Sequence, residues 1–127
     1  MQEDVTTKKI LVVDDEVAIR TMLRLTLVRA GYEVTEAENG EDALQKVSED
    51  APRLVLLDVM MPGMDGFAVC EQLRSDPQTA DIPVIIFSAK TDARSKREGK
   101  RVGATKYLTK PLTPEQLLFH VEDVLAE

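Results

Sequence analysis

The chain has 127 residues, 43% of them hydrophobic and 31% charged, which describes one ordinary domain with one core and excludes a disordered chain. Its 16 lysines and arginines stand against 23 aspartates and glutamates, and a formal charge of −7 disfavours a general nucleic-acid binder. A single cysteine, Cys70, excludes an internal disulfide or a cysteine-built zinc site, no apolar signal core follows Met1, and no apolar run is long enough to span a bilayer. A cytoplasmic setting is expected.

Residues 1–7 are polar and are expected to be disordered, leaving residues 8–127 as the domain. Short apolar or β-branched runs then alternate with longer amphipathic stretches. The first run is Ile10-Leu11-Val12-Val13. A helix from Glu16 to Ala30 follows, with an expected apolar face of Ile19, Met22, Leu23, Leu27 and Ala30, and Gly31 stops it. A strand over Glu33–Ala37 leads to a helix over Gly40–Glu49, capped by Asn39 and buried through Ala43, Leu44 and Val47. The run Leu54–Leu57 precedes a helix over Gly66–Arg74, capped by Asp65, with Phe67, Cys70 and Leu73 inward. Val84–Phe87 precedes a weakly patterned helix over Asp92–Val102. Lys106–Thr109 is the last strand. The last helix opens on Thr113-Pro114-Glu115-Gln116, a capping box with proline at the first helical position. Three of the five strands are apolar throughout, as strands covered on both faces are. Five strand–helix pairs in alternation predict an α/β fold with a parallel sheet.

In such sheets ligands bind beyond the carboxyl ends of the strands. Asp14-Asp15-Glu16 follows the first strand, Asp58 the third, Ser88-Ala89 the fourth, and Lys110-Pro111 the fifth. Asp14, Asp15, Asp58, Ser88 and Lys110 should therefore converge. Three carboxylates and one ammonium leave a net of −2 in a small space. Either a carboxylate is protonated there or a cation binds, and oxygen-only ligands favour a hard ion such as Mg²⁺. Lys110 and Ser88 could contact phosphoryl oxygens, and Asp58 has the chemistry of an acyl-phosphate nucleophile.

The motifs Ile10–Glu16, Leu57–Gly66, Ser88-Ala89, Gly103-Ala104 and Tyr107–Pro111, in this order and on these elements, resemble the receiver domain of two-component response regulators, the CheY-like superfamily, over roughly Lys8 to Ala126. The resemblance implies a flavodoxin-like, doubly wound five-stranded sheet in the order 2-1-3-4-5, flanked by five helices. It implies Asp58 as the acceptor of a phosphoryl group from a sensor histidine kinase or phosphotransfer protein. Asp15 and Asp58 would ligate Mg²⁺, with the backbone carbonyl of Met60, and Asp14 would act through water. Lys110 and Ser88 would contact the phosphoryl group, Ser88 and Tyr107 would be the switch residues, and the Lys110–Pro111 bond would be cis. The expected partner face is the fourth helix, fifth strand and fifth helix, which would engage a downstream protein or an output domain. The expectation extends to a monomer or a phosphorylation-dependent dimer, to no direct contact with nucleic acid or membrane, and to no turnover of a separate substrate. The sequence leaves open whether this is a stand-alone receiver or part of a longer regulator.

Rival readings are weaker on the residues. A haloacid-dehalogenase-like phosphatase needs a second aspartate two positions after the nucleophile, where this chain has Met60. A flavodoxin-like FMN module needs a hydroxyl- and glycine-rich loop where Asp14-Asp15-Glu16 would repel phosphate. A receiver fold serving only as a constitutive docking or dimerisation module is opposed by the intact acidic cluster. Other notable residues read as structure: His120 as a solvated surface histidine, Cys70 as a core filler, and Met60, Met61 and Met64 as loop and packing residues. Residues 90–110 carry eight lysines and arginines against two acids, a net of +6. That run is either a solvated face or a docking surface for an acidic partner. The helix within it holds Gly99 and few apolar anchors, so it should be the least stable element.

Overall fold

The computed structural model describes residues 8–126, so the expected disorder of residues 1–7 lies outside the described residues. Strand and helix alternate as β1 (Lys9–Val13), α1 (Val17–Arg29), β2 (Glu33–Ala37), α2 (Gly40–Glu49), β3 (Leu54–Asp58), α3 (Gly66–Ser75), β4 (Val84–Ser88), α4 (Ala93–Arg101), β5 (Lys106–Thr109) and α5 (Pro114–Leu125). The strands form one parallel sheet in the order β2-β1-β3-β4-β5. Among the described residues, no helix is long and apolar enough to cross a membrane.

The all-apolar strands are buried on both faces, and the period of two along each strand divides the core. Ile10, Val12, Leu54, Leu56, Ile85 and Phe87 pack with Leu23 and Leu27 of α1 and with Leu117 and Val121 of α5. Leu11, Val13, Val55, Leu57, Val84 and Ile86 face the other way, onto Ala43 and Val47 of α2 and Val69, Cys70 and Leu73 of α3. A one-residue slip in any of these strands would exchange the two sets, so the register is strongly specified. The edge strands differ. β2 alternates exposed and half-buried residues up to Ala37, and β5 is half-buried throughout.

Side chains start four of the helices. Asn39 accepts from the Asp42 amide at 2.8 Å, Asp65 from Ala68 at 2.9 Å and Asp92 from Ser95 at 3.0 Å, and Thr113 and Gln116 form the expected capping box. Each such cap contributes about 1 kcal/mol. The expected face of α1 needs one correction. Leu23 and Leu27 are buried, but Met22 is 39% exposed and Ala30 is exposed. Only the row of residues four apart, Ile19-Leu23-Leu27, points at the sheet. Met22 lies about 100° away from Leu23 around the helix. Cys70 is a core residue as expected, and its thiol donates to the Val102 carbonyl at 3.3 Å.

Helix α4 is anchored differently. Its buried residues are Ser95 and Gly99, with no large apolar side chain among them. A Cβ on Gly99 would lie 2.8 Å from Cδ2 of Tyr107, so the bare glycine lets the helix rest directly on that ring. With so little apolar area buried, α4 should open at a lower free energy than the rest of the domain. Amide hydrogen exchange is expected to give residues 96–101 protection at least about tenfold below that of Leu23–Leu27 in α1. Equal protection would contradict this.

Candidate functional site

The strand order makes β1 and β3 neighbours, with Val13 opposite Leu57. Asp14, which follows β1, and Asp58, the last residue of β3, therefore emerge side by side at the carboxyl edge, where the sheet order reverses. Asp14 is fully buried, Asp58 is 4% exposed and Asp15 is exposed. Carboxylate oxygens of the three lie within 4.8 Å of one another.

Lys110 reaches this cluster from the end of β5. Its backbone amide bonds the Ser88 carbonyl at 2.8 Å. Its Nζ then lies 3.0 Å from Oδ2 of Asp14 and 3.3 Å from Oδ1 of Asp58. The ammonium also sits 5.0 Å from the centre of the Phe87 ring, a cation–π contact. The Lys110–Pro111 bond is cis. Asp14 has a second task, because its Oδ1 accepts from the Glu16 amide at 2.9 Å. That bond turns the chain into α1, whose N-cap, Glu16, makes no side-chain cap of its own.

Asp58 is fixed from behind. The Gly66 amide donates to the Val59 carbonyl at 2.9 Å, and a Cβ on Gly66 would run into the Asp58 carbonyl. Glycine is required there because α3 begins against the backbone of the site. The Met60 amide lies beside the Asp58 carboxylate and favours its charged form, while the Met60 side chain is 57% exposed. An open cavity of about 290 Å³ lies over the carboxylate, lined by Asp15, Glu16, Asp58, Met60, Ala89 and Lys110.

Ser88 is on the same edge and fully buried, one residue past Phe87, which pairs with Asp58. Its Oγ accepts from the Lys90 amide at 3.1 Å, and the Lys90 carbonyl accepts from the Tyr107 hydroxyl at 2.8 Å. Ser88, the β4–α4 loop, Tyr107 and Gly99 of α4 thus form one contiguous chain of contacts. Sequence reasoning named Ser88 and Tyr107 separately. It did not find Lys90 as the link, because the two bonds use backbone groups that carry no residue signature.

The electrostatics follow from crowding. Burial pushes the Asp58 carboxyl up, the Asp14 charge adds to this, and Lys110 only partly offsets both, leaving Asp58 at about 6. Burial works against the Lys110 ammonium, but its hydrogen bond to Asp14 and the Asp58 and Asp14 charges prevail and hold it above the usual lysine value. An all-oxygen donor set with surplus negative charge fits a hard divalent cation. Away from the site, His120 is not simply solvated. Its Nδ1 lies 2.9 Å from Nζ of Lys106, and burial together with that ammonium lowers its pKa.

The family model of the response regulator receiver domain matches residues 10–122. The chain is 44% identical over 118 residues to the alkaline phosphatase synthesis transcriptional regulatory protein PhoP of Bacillus subtilis, covering 93% of this chain and 48% of that protein. It is 43% identical over 118 residues to the phosphate regulon transcriptional regulatory protein PhoB of Pseudomonas aeruginosa, covering 93% of this chain and 52% of that protein. Chemotaxis protein CheY4 of Vibrio cholerae superposes with a TM-score of 0.91 at 40% identity, covering 94% of this chain and all of that one. The fold is that of the CheY-like, doubly wound proteins. The chain belongs to the response regulator receiver domain family, and it spans about half the length of the curated relatives named here.

The raised Asp58 pKa makes a stability prediction. A carboxyl raised in the folded state, against about 3.8 unfolded, favours folding fully only below pH 3.8, and that benefit is lost as pH climbs through about 6. With divalent cations chelated at pH 7.5, Asp58→Asn should therefore be more stable than the native protein by about 1 to 3 kcal/mol. The difference should close below about pH 4. Urea unfolding at several pH values checks this, and a destabilised variant at pH 7.5 would refute it.

Proposed function

We propose that this receiver domain is a phosphorylation-dependent switch that accepts a phosphoryl group on Asp58 from the phosphohistidine of a sensor histidine kinase or phosphotransfer protein. The observation that carries the reading is a buried carboxylate with an ammonium 3.3 Å away and two more carboxylates alongside, open to solvent through one cavity. A neutralising side chain on every acid would make a structural cluster. A surplus of acids around one reachable oxygen suits a reaction.

Asp15 and Asp58 would hold Mg²⁺, with the Met60 carbonyl and, through water, Asp14. Bound there, the ion would offset the negative charge of the edge and of an incoming phosphoryl group. An Oδ atom of Asp58 attacks phosphorus in line with the phosphohistidine nitrogen. The P–N bond breaks, the P–O bond forms, and the electron pair leaves with the imidazole. Lys110, already within reach of Asp58, pairs with the new phosphoryl oxygens. The Ser88 hydroxyl donates to one of them, which draws on its present bond with the Lys90 amide. The β4–α4 loop and Tyr107 are tied to that amide's residue, so the change reaches α4. Water attack at phosphorus later returns the carboxylate and releases inorganic phosphate. The chain therefore promotes only its own phosphorylation and dephosphorylation, and turns over no separate substrate.

The phosphodonor approaches Asp58 across the edge where α1 begins. The outer side of α1 there carries Val17, Met22, Leu25 and Val28, each at least 39% exposed, an apolar row that a partner would cover. The phosphorylated state changes the α4–β5–α5 face and, through it, the affinity for a downstream protein or output domain, in a cytoplasmic setting. A monomer that dimerises on phosphorylation fits this scheme.

Intact mass after incubation with acetyl phosphate tests the chemistry. The native protein should gain one phosphoryl group, only with Mg²⁺ present, and Asp58→Asn should gain none. Lys110→Ala should slow adduct formation on the order of 100-fold, the usual cost of removing one charge-stabilising donor. An adduct on Asp58→Asn would assign the acceptor elsewhere.

A further inference from the structure

Helix α4 has the sequence Ala-Arg-Ser-Lys-Arg-Glu-Gly-Lys-Arg, and it buries almost nothing apolar. Elsewhere more than half of the cations of the folded chain are paired. Lys9, Arg20, Arg24, Lys46, Lys106 and Lys110 each meet a carboxylate. From α4 only Arg101 is so engaged, with Glu98 and with Glu71 of α3. Arg94, Lys96, Arg97 and Lys100 are exposed, and among the described residues none is salt-bridged to a carboxylate. Lys96 and Lys100, four residues apart, repel one another within the free helix, as do Arg94 and Arg97, three apart. The packing of the domain does not require these charges.

Their placement is directional. Arg101 leans toward α3, because it reaches Glu71 there. At 100° per residue, Lys96 and Lys100 lie on the opposite flank, the same side as the contact between Gly99 and Tyr107 of β5. On β5 itself, Lys106 lies 5.8 Å from the centre of the Phe119 ring of α5, which is 64% exposed. The α4–β5–α5 face thus presents the unpaired cations Lys96 and Lys100, about 6 Å apart along the helix, with an exposed aromatic ring across the strand.

We infer that this face docks an acidic segment of another protein, one that sets carboxylates against Lys96, Arg97 and Lys100 and an apolar side chain against Phe119. This rests on the reading of α4–β5–α5 as the partner face and names the chemistry of the partner. Charge decides between polyanions. Residues 90–110 carry +6, and with a total of −7 the remainder carries −13. A long nucleic acid reaching past the single helix would meet that negative surface, whereas a short acidic segment need not. Bound carboxylates would relieve the repulsion within α4 and stabilise the least anchored helix of the domain.

The test is an NMR titration of the isotopically labelled, unphosphorylated full chain with a synthetic hexapeptide of glutamates and one leucine. Shift changes should concentrate on residues 93–101 and around Phe119. Raising NaCl from about 50 to about 300 mM should weaken binding at least about tenfold. The double variant Arg97→Glu/Lys100→Glu should bind at least about tenfold more weakly at low salt, with its thermal midpoint preserved. If that variant is unstable, Lys96→Gln/Lys100→Gln serves the same purpose. Unaffected binding after charge removal, or shifts lying elsewhere, would overturn the inference. So would tighter binding of a single-stranded DNA 12-mer to α4, or self-association through α4 without peptide. The titration uses the unphosphorylated chain without Mg²⁺ or phosphodonor, so failure here and failure of the phosphorylation chemistry are read separately.

Discussion

Like charge held out of water governs this molecule. Asp14 is fully buried beside an almost fully buried Asp58, with Asp15 at the same edge and one lysine to balance them. Such an arrangement opposes folding, and the chain tolerates it because the rest of the sheet is a continuous double-sided apolar core. The topology follows the same requirement. Reversing the strand order between β1 and β3 is what brings two consecutive-layer aspartates together, and placing β5 at the far edge lets Lys110 reach back across β4.

Much of the architecture was legible in the sequence because its signals are local. The alternation of apolar runs and helical periodicity, the caps at Asn39, Asp65 and Thr113, and the acids at the strand ends all depend on near neighbours. Met22 shows where this stops. Spacings of three and four from Ile19 admit both Met22 and Leu23 to one apolar stripe, and only the docking of α1 on the sheet decides that Leu23 is buried and Met22 is not. His120 shows the same limit, since its character is set by a lysine 14 residues away on β5. The connection from Ser88 through Lys90 to Tyr107 was hidden for a further reason. The amide and carbonyl of Lys90 carry it, so any residue type but proline at position 90 would serve.

Helix α4 and helix α1 illustrate two ways to use an exposed helix. Leucines at fixed spacing hold α1 on the sheet, and its sequence is constrained by packing. α4 is held by a cap, a glycine against a tyrosine ring, and Val102 just beyond its end. Little of its sequence is needed for cohesion, so its outer side chains are free to differ from those of any relative without harm to the fold. The helix that rests on Tyr107 is therefore also the one whose surface chemistry can change most readily.

The lysine at the site and the buried aspartate it balances are 96 positions apart in the chain. No local segment can make that contact, and β5 is the last strand to be laid down. Until it docks, the carboxylates of the first and third strands have no internal cation near them, and the pocket they line has no fourth wall. The site is thus complete only when β5 is docked. A truncated or partly folded chain can hold every acid of the site and still lack the site itself, so reactivity at the sheet edge reports that the whole domain has closed.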